Sequence, residues 1–176
     1  IAMLGILLPG MAQNVKTTFQ TSSHWKPTID VRADAVMIYG TGSSPQISFQ
    51  ERVDSWRKQG YTTHFMTGIA WGGYSDYFTG KWDGKQHMDE GQKDMKGDTI
   101  VHNPGTPYIV PTLNYLKFFK ETQIKPVIDA GIREIFLEEP EFWAFAGYSE
   151  SFKREWQAYY GFPWRAQHLS AENTYL

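Results

Sequence analysis

The chain of 176 residues contains no cysteine. That absence removes disulfides, thiolate-ligated zinc and a cysteine nucleophile together. A long hydrophobic run is missing too. The apolar stretch within residues 1–12 is too short to cross a bilayer as a helix, so no membrane span is expected. Charge of one sign is scarce: 17 Lys and Arg stand against 19 Asp and Glu, a formal net charge of −2. A field that weak favours neither nucleic acid nor an anionic membrane as a partner. There is no Gly-x-Ser-x-Gly elbow, no phosphate-binding glycine loop, no internal repeat and no low-complexity tract. His87, Asp89, Glu90 and His102 match no zinc spacing, so neither a metal nor an organic cofactor is expected.

Aromatic residues are plentiful, with seven Trp, ten Tyr and eleven Phe. Rings buried in a core are their commoner use, and rings that stack on a flat ligand are the other. The start of the chain, Ile1 to Ala12 with Gly10 and Ala12 as small residues, reads as the latter part of a secretory signal cut after Ala12. A secreted or periplasmic protein follows as the expectation. The signal lacks its basic beginning, so the sequence reads as clipped there, with residues 13–176 forming the domain.

Residues 13–33 are polar and read as an irregular lead-in. Asp34 to Tyr39 is a short apolar run closed by Gly40, which suits a strand buried on both faces. Ser48 and Glu51 have capping-box spacing ahead of a helix with Phe49, Val53 and Trp56 on one side and Gly60 as its stop. Tyr61 to Ala70 reads as the next strand. Residues 71–107, rich in Gly and aromatics, read as a long ordered loop over the strand ends. Thr112 opens a second helical region in which Leu113, Leu116, Phe119 and Ile124 form the apolar side, with Pro126 starting or kinking a further turn. A third strand follows Gly131. Ser149 to Tyr160 reads as a last helix with Phe152, Trp156 and Tyr159 on one face.

Strand, helix and strand in alternation imply an α/β fold with parallel strands and crossover helices. Three such strands make a partial (β/α)8 barrel, because a complete one needs about 250 residues. The chain therefore reads as a fragment, with a small open α/β domain as the other possibility.

The third strand carries the chemistry. Ile132, Ile135, Phe136 and Leu137 end abruptly in Glu138, Glu139 and Glu141 around Pro140, with Phe142, Trp143, Phe145 and Tyr148 close behind. Along an extended strand Glu139 and Glu141 share one face, about 7 Å apart, and Glu138 points the other way. Crowded, half-shielded carboxyls repel, so one of them should hold its proton to higher pH, as a general acid must. Pairing of one or two of these acids with Arg or Lys on a neighbouring element is the alternative. Trp71, Tyr74, Trp82 and Trp143 fall at or just after strand ends, where a sugar platform would sit. His64, on a strand, reads as a core or rim residue.

This segment resembles the fourth-strand region of clan A glycoside hydrolases, and most nearly that of family 42 β-galactosidases and their relatives. The resemblance runs over residues 34–160. It rests on Gly60-Tyr61 through Ala70-Trp71, on Asp83-Gly84-Lys85-Gln86-His87 with His102-Asn103-Pro104-Gly105-Thr106-Pro107-Tyr108, and on Leu137-Glu138-Glu139-Pro140. It implies a retaining glycoside hydrolase that cleaves a β-linked, galactoside-like glycan. Glu139 would be the general acid/base, and the nucleophile would come from a seventh strand beyond the end of this chain. The family has Asn immediately before the acid/base, touching the substrate's 2-hydroxyl, where this chain has Glu138. A carboxylate accepts from a hydroxyl but cannot donate as an amide does. A carbohydrate-binding barrel without catalysis is therefore the alternative, and an α/β domain unrelated to sugars is the third. Oligosaccharide or polysaccharide is the expected partner, and an oligomer is left open.

Overall fold

The computed structural model describes residues 15–42, 46–72 and 74–173. The candidate export signal, residues 1–12, lies outside the described residues. Four strands form one parallel sheet in which sequence neighbours are also spatial neighbours: β1 (Thr18–Thr21), β2 (Ala35–Tyr39), β3 (Thr62–Gly68) and, after a long insertion, a strand at Ile135–Glu138. α1 (Phe49–Arg57) crosses from β2 to β3. The insertion holds α2 (Ser75–Phe78) and an antiparallel hairpin of β4 (Val101–Asn103) and β5 (Thr106–Pro107). α3 (Leu113–Phe119) and α4 (Lys125–Asp129) then lead into β6, the strand Ile135–Glu138, and α5 (Glu150–Tyr160) follows. No helix of the described residues is long and apolar enough to cross a membrane.

The first helix forms as its sequence dictates. Ser48 Oγ accepts from Glu51 N–H and the Glu51 carboxylate accepts from Ser48 N–H, closing a capping box. Phe49, Val53 and Trp56 then meet Val36, Ile38 and Phe65 of the sheet. Val127 and Ala130, from α4 and just after it, join the same core, as does the partly buried Ile135. All the strand residues in this core belong to one pleat face. The opposite face carries Met37, Tyr39, His64, Met66, Phe136 and Glu138, and none of these enters a core cluster. His64 is buried there beside Glu134, at 3.2 Å, and stacks on Phe136. The sheet therefore carries its helical packing on one side only. Strand β6 has a single neighbour, and Phe136 and Leu137 are 42% and 45% exposed along it.

Four expectations need correction. The lead-in is not all irregular: Thr18–Thr21 forms β1, because Asp34 accepts from the backbone N–H groups of Lys16 and Thr17 and from Thr17 Oγ1, fastening this strand to β2. The stretch 71–107 contains a hairpin and a helix rather than loop alone. In α3 the buried side chains are Tyr115, Phe118 and Phe119, while Leu113 is 75% and Leu116 50% exposed. Three bulky rings fill the second core beside Tyr74, Tyr77 and Phe78, which rotates the leucines outward. In α5 Trp156 contacts Phe152 and Tyr160, whereas Tyr159 is 82% exposed. The spacing that holds is i, i+4, i+8.

Pro126 does begin a new helical turn. A π-helical turn at Lys120–Ile124 widens the helix ahead of the residue that has no N–H to donate.

The Asp34 clasp gives a pH prediction. Its hydrogen bonds from Thr17 first, then from Lys16, hold the carboxyl below its usual 3.8. A depressed carboxylate adds stability above the unfolded value and loses it as pH falls through the folded one. Asp34→Asn should therefore melt lower than the parent at pH 7, with the gap closing below about pH 3.8. A gap that stays constant into acid would remove the clasp from the account.

Candidate functional site

The C-terminal ends of β2, β3 and β6 lie side by side, and Tyr39, Gly68 and Glu138 occupy them. The Tyr39 hydroxyl donates to Glu138 Oε1 at 3.1 Å, passing over β3. Glycine at position 68 is required by the turn that follows β3: a Cβ there would lie 2.6 Å from the Trp71 carbonyl oxygen, although only in ordinary contact with the Tyr39 hydroxyl at 3.6 Å. Burial first, and the Glu138 carboxylate second, push the Tyr39 hydroxyl up to about 12, so it remains a donor at neutral pH. Gly68→Ala forces a backbone atom to move and should lower stability by about 1–3 kcal/mol in a denaturant titration. It should also displace Trp71, visible in near-ultraviolet circular dichroism. Neither changing would mean that the turn absorbs the methyl group.

Glu139 has φ +50°, in the left-handed region, which among described non-glycine residues only Arg32 shares. Such a conformation is unfavourable for a side-chain-bearing residue and has to be held by its surroundings. It ends the strand. The Glu141 N–H returns to the Glu139 carbonyl at 2.7 Å, making a tight turn about Pro140. Glu139 and Glu141 therefore do not share the face of an extended strand, which corrects the expected pairing. Glu139 is also exposed rather than half shielded.

The Glu139 carboxylate accepts a hydrogen bond from Trp71 Nε1. The Trp71 ring lies flat against His102 of the hairpin, with centroids 3.9 Å apart and planes within 2°. His102 Nδ1 stands 3.2 Å from the Tyr108 hydroxyl. Glu141 is half-buried beside that hydroxyl; burial first and this carboxylate next raise the Tyr108 pKa above its ordinary value. Trp143 stands edge-on to Tyr108 at 5.5 Å. Buried Gln92 ties the two segments together: its Nε2 donates to the Ile109 and Glu141 carbonyls, and its Oε1 accepts from Trp143 N–H. Among the described residues, none of Glu138, Glu139 and Glu141 forms an ion pair with Lys or Arg.

Of the sequence-predicted residues, Trp71, Glu138, Glu139, Glu141 and Trp143 gather at this strand end. Tyr74 and Trp82 do not. Tyr74 is buried in the second core and donates to the Gly68 carbonyl, so its ring is wall rather than platform. Trp82 packs beside the same core, donates to Glu121 at 3.0 Å and lies under the Lys117 ammonium. Tyr39, Gln92 and Tyr108 join the site without having been singled out as functional by type or position. His102 is drawn in through its stack on Trp71, apart from His87, which sits between Asp83 and Glu90. Among the described residues no group of three His, Asp or Glu could hold a metal ion. A polar hollow of about 350 Å³ lined by Asp30, Arg32, Asp34 and Tyr61 lies at the opposite, N-terminal end of the strands. Compared with protein-family models, curated proteins and solved structures, the chain has no match in any of the three.

Proposed function

We propose that this chain forms part of a (β/α)8 barrel of a retaining glycoside hydrolase acting on a β-linked, galactoside-like glycan. In this reading Glu139 is the general acid/base. Two features support the barrel. The strand order follows the chain, and the two helices that pack on the sheet, α1 and α4, cover the same face, as right-handed crossovers in one direction would place them in a sheet that closes on itself. A doubly wound sheet would carry helices on both faces. The reacting groups of barrel enzymes stand at strand C-terminal ends, which is where Tyr39, Glu138, Glu139 and Trp71 meet.

The observation that carries the assignment is the Glu139 carboxylate. It stands at a strand end in a left-handed backbone, bonded to an indole N–H, with no Lys or Arg ion pair among the described residues. An acid/base must exchange its proton with substrate, and a permanent cation beside it would hold it ionised. Trp71 and Trp143 offer ring faces for sugar, and Glu138 accepts from a substrate hydroxyl. Glu138 and Glu141 leave the same strand end as Glu139, so neither flanks a glycosidic bond opposite it. The nucleophile, about 5 Å away in a retaining pair, then comes from a further strand. Secretion accords with a substrate met outside the cell.

A sugar-binding barrel without turnover is the second reading. The Tyr39 hydroxyl that engages Glu138, in the place of the family's amide, favours it. The chain by itself should be inactive in this reading, so Glu139→Gln, made in a protein that includes the nucleophile strand and assayed on a glycoside with a poor leaving group, separates the two. Turnover in the parent that the variant loses supports the hydrolase, and an unchanged rate rejects Glu139 as the acid.

A further inference from the structure

The face of the sheet turned away from the helices carries an unusual set of side chains. Parallel strands and barrel interiors are ordinarily filled by Val, Ile and Leu. Here Met37 of β2 stands directly beside His64 of β3, and Met66 follows His64 on the same pleat face. The chain has no cysteine, so thioether sulfur and imidazole nitrogen are its soft donors. Paired residues on adjacent strands lie about 4.8 Å apart, and residues two apart along a strand about 6.6 Å. Three rotatable bonds give each methionine sulfur the reach to meet the imidazole at one point above the sheet.

His64 is 6% exposed and Met37 and Met66 are half-buried, so two thioethers flank an enclosed ring. Glu134, next to β6, places a carboxylate oxygen 3.2 Å from His64 Nε2. A carboxylate there draws the ring proton to Nε2 and leaves the lone pair on Nδ1. Among the described residues Nδ1 has no hydrogen-bond partner. A carboxylate beside one ring nitrogen, with the other nitrogen free to ligate, is the usual setting of a metal-bound histidine. Phe136 stacks on the same ring and supplies an apolar wall.

From these features we infer that Met37, His64 and Met66 form a binding site for a soft monovalent cation, copper(I), held by two thioether sulfurs and Nδ1. The donor set makes the selection. Magnesium and calcium seek oxygen ligands, and zinc finds neither a thiolate nor a second imidazole here. Neutral ligands in a half-buried patch also suit an ion of low charge, because enclosing a dication costs more. The site lies below the strand-end carboxylates and is independent of the role of Glu139.

Copper(I), kept reduced by ascorbate under nitrogen, is titrated into the whole chain in competition with bicinchoninate. The chain should withdraw about one equivalent, and excess zinc(II) should not displace it. In protein labelled with carbon-13 at the methionine methyls, the Met37 and Met66 signals should shift and those of Met88 and Met95 should stay. Met37→Leu with Met66→Leu conserves volume and should keep the fold, checked by circular dichroism, while losing the metal. His64→Phe retains a ring against Phe136 and should lose it as well. Methyl shifts confined to Met37 and Met66, with loss in both variants, support the site. Copper retained by the leucine variant, or shifts at Met88 or Met95, places the metal elsewhere and overturns it. No copper withdrawn from the chelator, or zinc taken up equally by the same residues, overturns it too. Should a variant unfold, the methyl shifts of the parent decide.

Discussion

In a protein that also carries the nucleophile strand, Glu139→Gln should reduce cleavage of an alkyl β-galactoside by about 10²–10⁴-fold, the usual contribution of a positioned proton donor. The substitution is nearly isosteric. The amide oxygen can still accept from Trp71 Nε1, so the strand end and the indole should stay where they are. What disappears is a proton that can be given and recovered. The leaving group reports this loss. An alkoxide cannot depart without protonation, whereas a nitrophenolate can. The first step on a nitrophenyl glycoside should therefore survive in the variant, while the second step, which needs Glu139 as a base toward water, slows. A burst of nitrophenolate followed by a slow steady state is the expected trace. Equal rates for parent and variant on the alkyl substrate would remove Glu139 from the chemistry. The same variant should melt within a narrow range of the parent, because an exposed residue contributes little packing.

How far the sequence discloses this arrangement depends on the range of the interaction that decides each element. Local signals read through directly. The Ser48–Glu51 box, the Thr112 cap and the Ser149 cap each begin a helix where their spacing predicts one. The apolar runs at 34–39 and 61–70 form adjacent parallel strands, and the run ending in Glu138 pairs beside them. Features fixed at a distance are hidden. Strand β1 depends on Asp34, seventeen residues from Thr17 in the chain, and its polar composition gives no hint of a sheet. The exposed leucines of α3 have as good a helical period as its buried rings, and only the aromatic core on one side chooses between them.

The site divides in the same way. Glu138, Glu139 and Glu141 are conspicuous as acids at the end of an apolar run, and the structure gathers them with Trp71 and Trp143. Their mutual geometry is not legible, because a strand was expected where Glu139 adopts a left-handed turn. An alternation rule cannot foresee a residue whose φ is imposed by its neighbours. Glutamine 92 illustrates the converse. A single Gln in a Gly-rich segment carries no motif, yet three hydrogen bonds make it the tie between hairpin and strand end. A buried polar side chain in an otherwise aperiodic loop is the signal, and burial is what a sequence does not print.

Glu90→Ala should produce the largest loss of stability, on the order of 3–5 kcal/mol, and should loosen the insertion that carries His102. Glu90 is 3% exposed, and four side chains turn toward it. Tyr77 and Thr112 donate their hydroxyls, Asn114 Nδ2 donates at 3.1 Å, and His87 Nδ1 lies 3.3 Å away. These partners come from α2, from the turn before Glu90 and from the start of α3, so one carboxylate gathers the ends of the insertion. Thr112 also caps α3 through Tyr115 N–H at 3.0 Å. Alanine leaves these donors facing a void. Each stranded buried group costs about 1–3 kcal/mol before the walls relax. Glutamine retains one acceptor and the volume but brings an amide donor among donors, so Glu90→Gln should fall roughly midway. Urea denaturation measures the loss, and proteolysis within 79–107 should accelerate in proportion to it. The functional consequence separates this hub from a purely local contact. If Glu90 sets the hairpin, the alanine variant should also release His102 from Trp71 and weaken sugar binding at the strand end. An alanine variant that melts with the parent and resists protease equally would show that the aromatic core holds the insertion without it.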